Sequence, residues 1–118
     1  MQFLDEIRFW WMFGFLPNNM SDFDKRDFAP RVEKMINDMA EQQREASRVQ
    51  LRLSPNAPVD LRELRMWRTE KRQASDAFRK ADERLDQACQ LAQKFGWQVE
   101  WPRVAMPAEV RAFRVKAA

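Results

Sequence analysis

Residues 60–96 read DLRELRMWRTEKRQASDAFRKADERLDQACQLAQKFG, and this stretch decides the fold. Leu64, Trp67, Lys71, Ala74, Phe78, Ala81, Leu85, Ala88, Ala92 and Phe95 recur at alternating intervals of three and four. That period places all ten on one side of a helix. Lys71 is the single polar member, and its aliphatic stem can lie along the seam while its ammonium reaches water. Asp60, with Glu63 three residues on, forms a capping-box pair that satisfies the first free amides. Gly96 stands where a C-terminal cap belongs. The stretch predicts one helix of about 36 residues, roughly 54 Å long.

Just before it, Ser54-Pro55-Asn56-Ala57-Pro58 cannot continue a helix. Further back, Val32, Met35, Ile36, Met39, Ala46, Val49 and Leu53 keep the same spacing. Pro30 fits a first helical turn, where its missing N–H costs nothing. A second helix is therefore expected over 28–53, after a polar, acid-rich entry segment at 21–29. Two long amphipathic helices joined by a short break at 54–59 predict an antiparallel, coiled-coil-like hairpin over 28–95. A turn centred near residue 57 sets Leu53 opposite Asp60 and Phe28 opposite Leu85.

Phe3, Leu4, Ile7, Trp10, Trp11 and Phe15 fall at helical spacings, so residues 3–15 read as a short helix within an apolar N-terminal segment, 1–19. Phe9, Met12 and Phe13 fill its other directions, and a helix apolar all round is buried in something. The run has no basic leader and no cleavage site, and it is too short to cross a bilayer. Beyond Gly96, Trp97-Gln98-Val99-Glu100-Trp101 alternates as an extended segment does, and Pro102 stops it. Pro107 and Glu109 open an expected last helix with Val110, Phe113 and Ala117 on one face. The whole is expected to be one all-α domain over 1–118, with the short N- and C-terminal helices packed at the base of the hairpin.

Composition narrows the chemistry. The 118 residues include no histidine and no tyrosine, two glycines and one cysteine, with a net charge of +3. Without histidine, the only side chain that titrates unperturbed near neutral pH is missing, as is the commonest metal ligand. Two glycines cannot build a phosphate-cradling loop. One thiol forms no internal disulfide and suits a reducing compartment. No enzyme, cofactor or metal site is expected. Asp22, Asp24 and Glu33 match three positions of a calcium loop, but Arg26 takes a ligand position and Asp27 replaces the turn glycine. Cys89, on the edge of the seam, reads as a small apolar side chain with no histidine to activate it.

The aromatics and the charges segregate. Of the fourteen Phe and Trp residues, only Trp67 and Phe78 lie well up the expected hairpin. The other twelve gather at its base, where Phe9, Trp10, Trp11, Phe13, Phe15, Trp97 and Trp101 are the candidate partner-binding residues, of the kind interface hot spots are made of. The far end is basic, and Arg62, Arg65, Arg68, Arg72 and Arg79 are the candidate contact with nucleic acid or an acidic partner. Four of these, Arg65 to Arg79, lie within about 60° of one another on the helix. A solvated face laced with ion pairs explains the same pattern, because acids are interleaved nearby and no aromatic sits in the stripe.

The residues 3–15 have three readings: they cap their own core, dock into another chain, or lie flat on a membrane surface. The membrane reading wants a basic polar face, and Arg8 beside Asp5 and Glu6 does not supply one. The thin, alanine-rich seam favours packing against a further helix, from the base or from another subunit. The expectation is a non-enzymatic interaction or assembly protein. Its aromatic base would anchor it in an oligomer or larger complex, and its charged arm would meet a partner. The alternatives are a nucleic-acid-binding module on the arginine stripe and a peripheral membrane protein held by 3–15. Size and style resemble small bacterial or phage accessory proteins, which implies the cytoplasm or a virion. That is a likeness of shape.

Overall fold

Two serine- and aspartate-type caps start the long helices. The computed structural model of the chain describes residues 2–18, 20–53, 55–102 and 112–118. In order, these form α1 (Gln2–Phe13), α2 (Asp22–Arg52), α3 (Leu61–Lys94), β1 (Trp97–Glu100) and β2 (Arg114–Ala117). The chain is mostly helical, as its composition predicts, but it carries a small antiparallel sheet that an all-α reading leaves out.

At α3 the sequence and the structure agree within a residue. The Glu63 amide donates to Asp60 Oδ2 at 3.3 Å, and the Leu64 amide donates to the Asp60 carbonyl at 2.8 Å. Gly96 follows the last turn at φ +99°, where an added Cβ would meet Lys25 Nζ at 2.6 Å. The positive φ is what calls for glycine there, since the lysine side chain can move aside. Helix α2 begins six residues before the expected 28. The Asp24 amide donates to Ser21 Oγ at 3.2 Å, and the Ser21 amide donates back to Asp24 Oδ2 at 3.3 Å. This reciprocal cap nucleates the helix, so Pro30 sits inside it rather than in its first turn. Pro30 forfeits one backbone bond there, and the burial of Ala29 and Val32 on either side offsets that loss.

The extended reading of Trp97–Glu100 holds, and the expected terminal helix does not. Phe113 precedes β2, which pairs with β1 in the register Trp97↔Ala117, Gln98↔Lys116, Val99↔Val115 and Glu100↔Arg114. Phe113 and Val115 are buried while Arg114 and Lys116 are exposed, a period of two rather than 3.6. Pro107, Glu109 and Val110 of that expected helix lie outside the described residues.

The chain divides into two compact units, residues 1–38 with 86–118, and residues 39–85. The first holds most of the core: Phe9, Phe13, Val32, Ile36, Ala88, Cys89, Ala92, Trp97, Val99, Phe113 and Val115 are all buried. Two side chains of α2 clamp the sheet onto it. Asn37 Nδ2 donates to the Phe113 carbonyl at 3.1 Å, and the Phe113 amide donates to Asn37 Oδ1 at 2.9 Å. Four residues back along α2, Glu33 Oε1 accepts from the Val115 amide at 3.1 Å. Four helical residues rise about 6 Å and two strand residues about 6.6 Å, so one side of a helix can serve the outward amides of a strand edge. β2 is thereby covered on the side that β1 does not pair.

The second unit is thinner. Its buried side chains are Met39, Ala40, Ala74 and Leu85, with Trp67 and Phe78 half-buried. Gln43 Nε2 donates to Asp82 Oδ1 at 2.5 Å. Gln50, Leu51 and Leu53 line one cavity of about 560 Å³ with Lys71, Arg72 and Ser75. Both contacts differ from the expected register by about three helical turns. A tight turn at residue 57 would have put Asp82 opposite Arg31 and Leu53 opposite Asp60. Residues 55–60 are non-helical, and Leu61 and Met66 at the start of α3 remain exposed.

Candidate functional site

Helix α1 presents two apolar faces, and only one of them is used. Phe9 and Phe13 point inward and are almost wholly buried. The Phe9 ring is the hub of the cluster. Its centroid lies 4.5 Å from Phe13, 5.2 Å from Phe15, 5.4 Å from Phe95 and 5.4 Å from Trp97, the last stacked at an interplanar angle of 14°. Phe15 in turn stacks on Phe28 at 4.5 Å, with the Arg31 guanidinium 5.3 Å from its centroid. Trp97 donates its indole N–H to the Lys25 carbonyl at 3.0 Å, which gives its polar edge a partner inside the core.

The opposite face is open. Phe3 is 70% exposed, Trp11 77% and Trp10 49%, with Leu4 and Ile7 beside them. At 100° per residue these five side chains share one sector of about 120°, away from Phe9 and Phe13. Trp10 and Trp11 meet edge to face at 6.0 Å. Gly14, at φ +80°, ends the helix with its amide on the Trp10 carbonyl at 2.8 Å. Lys94 holds the helix from the α3 side by donating to Asp5. That bond, with Arg8 3.9 Å away, keeps the Asp5 carboxyl below its ordinary range.

The candidate aromatic residues thus fall into two groups. Phe9, Phe13 and Trp97 are core, and the partly covered Phe15 packs against them. Trp10, Trp11 and Trp101 are accessible, and Trp101 rests edge-on against Phe113 at 4.9 Å. Twelve of the fourteen aromatics belong to the first unit, so its composition matches the expected base. Phe3, Leu4 and Ile7 complete the open face, and the signal for them was the same helical spacing that identified the tryptophans.

On the second unit, Arg62, Arg65, Arg68, Arg72 and Arg79 are all exposed. Arg79 pairs with Asp76 at 3.5 Å. Among the described residues no ion pair engages Arg62, Arg65, Arg68 or Arg72.

Among the described residues no group of three or more cysteine or carboxylate side chains is placed to hold a metal ion. Asp22 and Asp24 lie in the first turn of α2, where negative charge complements the helix dipole. Cys89 is buried, and burial with Asp86 nearby pushes its thiol up to about 11. Thiolate is the reactive form. Native Cys89 should therefore react with a thiol reagent at least tenfold more slowly than in denaturant, and equal rates would place the side chain at the surface. Among the described residues no helix is long and apolar enough to cross a membrane. Compared with protein-family models, with curated proteins and with solved structures, the chain matches none.

Proposed function

We propose that this chain is a non-enzymatic assembly protein and that the outer face of α1 is its anchoring surface, with a second copy of the chain as the occupant. The observation that carries this reading is the two-sided use of α1: Phe9 and Phe13 fix it in the core, while Phe3, Leu4, Ile7, Trp10 and Trp11 stay in water. Large aromatics exposed together on one helix face are costly in solution and are the residue types that dominate interface energetics.

Area favours a second copy. An aromatic side chain offers about 150–250 Å², so three partly exposed aromatics and two aliphatics leave roughly 500–600 Å² open. Two such faces packed against each other would bury about 1,100 Å², just past the threshold of about 1,000 Å² for a specific interface. A two-fold axis across α1 would satisfy both faces at once. An anionic membrane is a poorer occupant. The first unit carries ten Lys/Arg against ten Asp/Glu, so it has no net charge with which to seek such a surface. In this reading residues 39–85, an antiparallel pair of helices, form the arm that meets a second partner.

The test is the double variant Trp10→Ser, Trp11→Ser. Both side chains point away from the core, so helical content by circular dichroism should not change. Self-association measured by sedimentation velocity should weaken at least a hundredfold, consistent with the loss of two hot-spot aromatics at about 2 kcal/mol or more each. Unchanged association would remove the reading. Flotation of the wild-type chain with vesicles, abolished by the same pair, would assign the face to lipid instead.

A further inference from the structure

Four exposed arginines near the start of α3, Arg62, Arg65, Arg68 and Arg72, carry an inference independent of α1. Some arginines of the long helices have local carboxylates. Arg44 reaches Glu41 at 2.6 Å, Arg48 reaches Glu45 at 3.0 Å and Glu41 at 3.4 Å, and Arg79 reaches Asp76. The Glu41 carboxyl is held below its ordinary range by Arg44. Arg62, Arg65, Arg68 and Arg72 have no such pair among the described residues, although Glu63 and Glu70 lie in the same turns.

Helical geometry explains the difference. Arg65, Arg68 and Arg72 share a sector of about 60°, with Arg62 about 60° beyond its edge, and Glu63 and Glu70 fall about 140–180° from those three. The first three turns of α3 are thus electrostatically two-sided. The unit is basic as a whole: residues 39–85 hold eleven Lys/Arg against eight Asp/Glu, which accounts for the entire +3 of the chain. Beside the stripe, Lys71 and Arg72 line the cavity of about 560 Å³ with Gln50 and Ser75, adding donors at its edge.

We infer that Arg62, Arg65, Arg68 and Arg72 form a contact for the phosphate backbone of duplex nucleic acid. A row of guanidiniums along one side of a rigid helix suits a regular row of phosphates. From Arg62 to Arg72 the helix rises about 15 Å, which is about four base-pair steps of 3.4 Å. Duplex is favoured over single strands because no aromatic lies in the stripe to stack on unpaired bases. Trp67 faces the other way, with Lys71 Nζ 4.5 Å from its ring centroid. With no side chain aimed at base edges in a groove, the contact should be indifferent to sequence.

The experiment is fluorescence anisotropy of a labelled duplex DNA of about 20 base pairs, titrated with the full chain from about 25 to 200 mM salt. Four phosphate contacts predict a log–log salt slope of about −3.6. Arg65→Gln, Arg68→Gln, Arg72→Gln should flatten the slope by about 2.7 and weaken binding at least tenfold at low salt. Arg44→Gln, Arg48→Gln, whose side chains are already paired, should change neither. Three results would overturn the inference: no binding at the lowest salt, equal loss in both variants, or tighter binding to poly-glutamate or to a single strand than to the duplex. Circular dichroism of each variant confirms that the exposed substitutions leave the helices intact.

Discussion

Phe9→Ala is expected to lower the unfolding free energy of the first unit by about 3–5 kcal/mol, the range for truncating a fully buried phenylalanine. Phe9 is 0% exposed and touches four other rings. Its removal leaves a cavity bounded by Phe13, Phe15, Phe95 and Trp97. Those rings come from α1, from the segment after it, from the end of α3 and from β1, so no single movement can close the void. The same change should free α1, because the inward face would then keep only Phe13. Urea unfolding followed by far-ultraviolet circular dichroism checks both effects. A loss below about 1 kcal/mol would mean that α1 is not part of the core.

Trp97→Ala is expected to cost as much again, about 3–5 kcal/mol, for a different set of reasons. Trp97 is 1% exposed, it stacks on Phe9, and it opens β1 opposite Ala117. Its indole N–H also ties the strand to the Lys25 carbonyl on α2. Trp97→Phe separates these contributions. It keeps a ring in the stack and removes the donor, so it should cost only about 1–2 kcal/mol. Because the two rings touch, Phe9→Ala and Trp97→Ala should fall short of additive by about 0.5–1.5 kcal/mol in a double-mutant cycle. A Trp97→Ala variant with wild-type stability would show that the sheet is not anchored by its first residue.

Local signals in the sequence located most of this structure, and non-local ones did not. The period of Leu64 to Phe95, the Asp60 cap and Gly96 bound α3 within a residue, because each acts within one turn of the chain. The start of α2 lies earlier than a first-turn reading of Pro30 implies. The Ser21–Asp24 pair is a cap of the same kind as Asp60–Glu63, and it decides the boundary. The C-terminal segment carried two periods at once: Val110, Phe113 and Ala117 fit a helix, and Phe113, Val115 and Ala117 fit a strand. What selected the strand was β1 on one side and Asn37 and Glu33 on the other, partners about 15 to 80 residues away in the chain. The helix register failed for a related reason. A proline-rich break shows where a helix stops, but it does not fix how the connection travels before the next one starts.

For the candidate surface, spacing identified the apolar residues of α1 but could not divide them. Phe9 and Trp11 look alike in the sequence, yet one is the hub of the core and the other is 77% exposed. The division follows from which side of α1 meets Phe95 and Trp97, a matter of tertiary packing. Likewise the arginine stripe was visible from spacing alone. That Arg79 pairs with Asp76, while Arg65, Arg68 and Arg72 have no ion pair among the described residues, is a matter of side-chain placement that spacing does not give.

Sedimentation equilibrium of the full chain over a hundredfold range of concentration tests the assembly claim most directly. The account predicts a mass that rises with concentration toward twice 14.2 kDa and stays at 14.2 kDa when Trp10 and Trp11 are replaced by serine. A single species of 14.2 kDa at every concentration would contradict it.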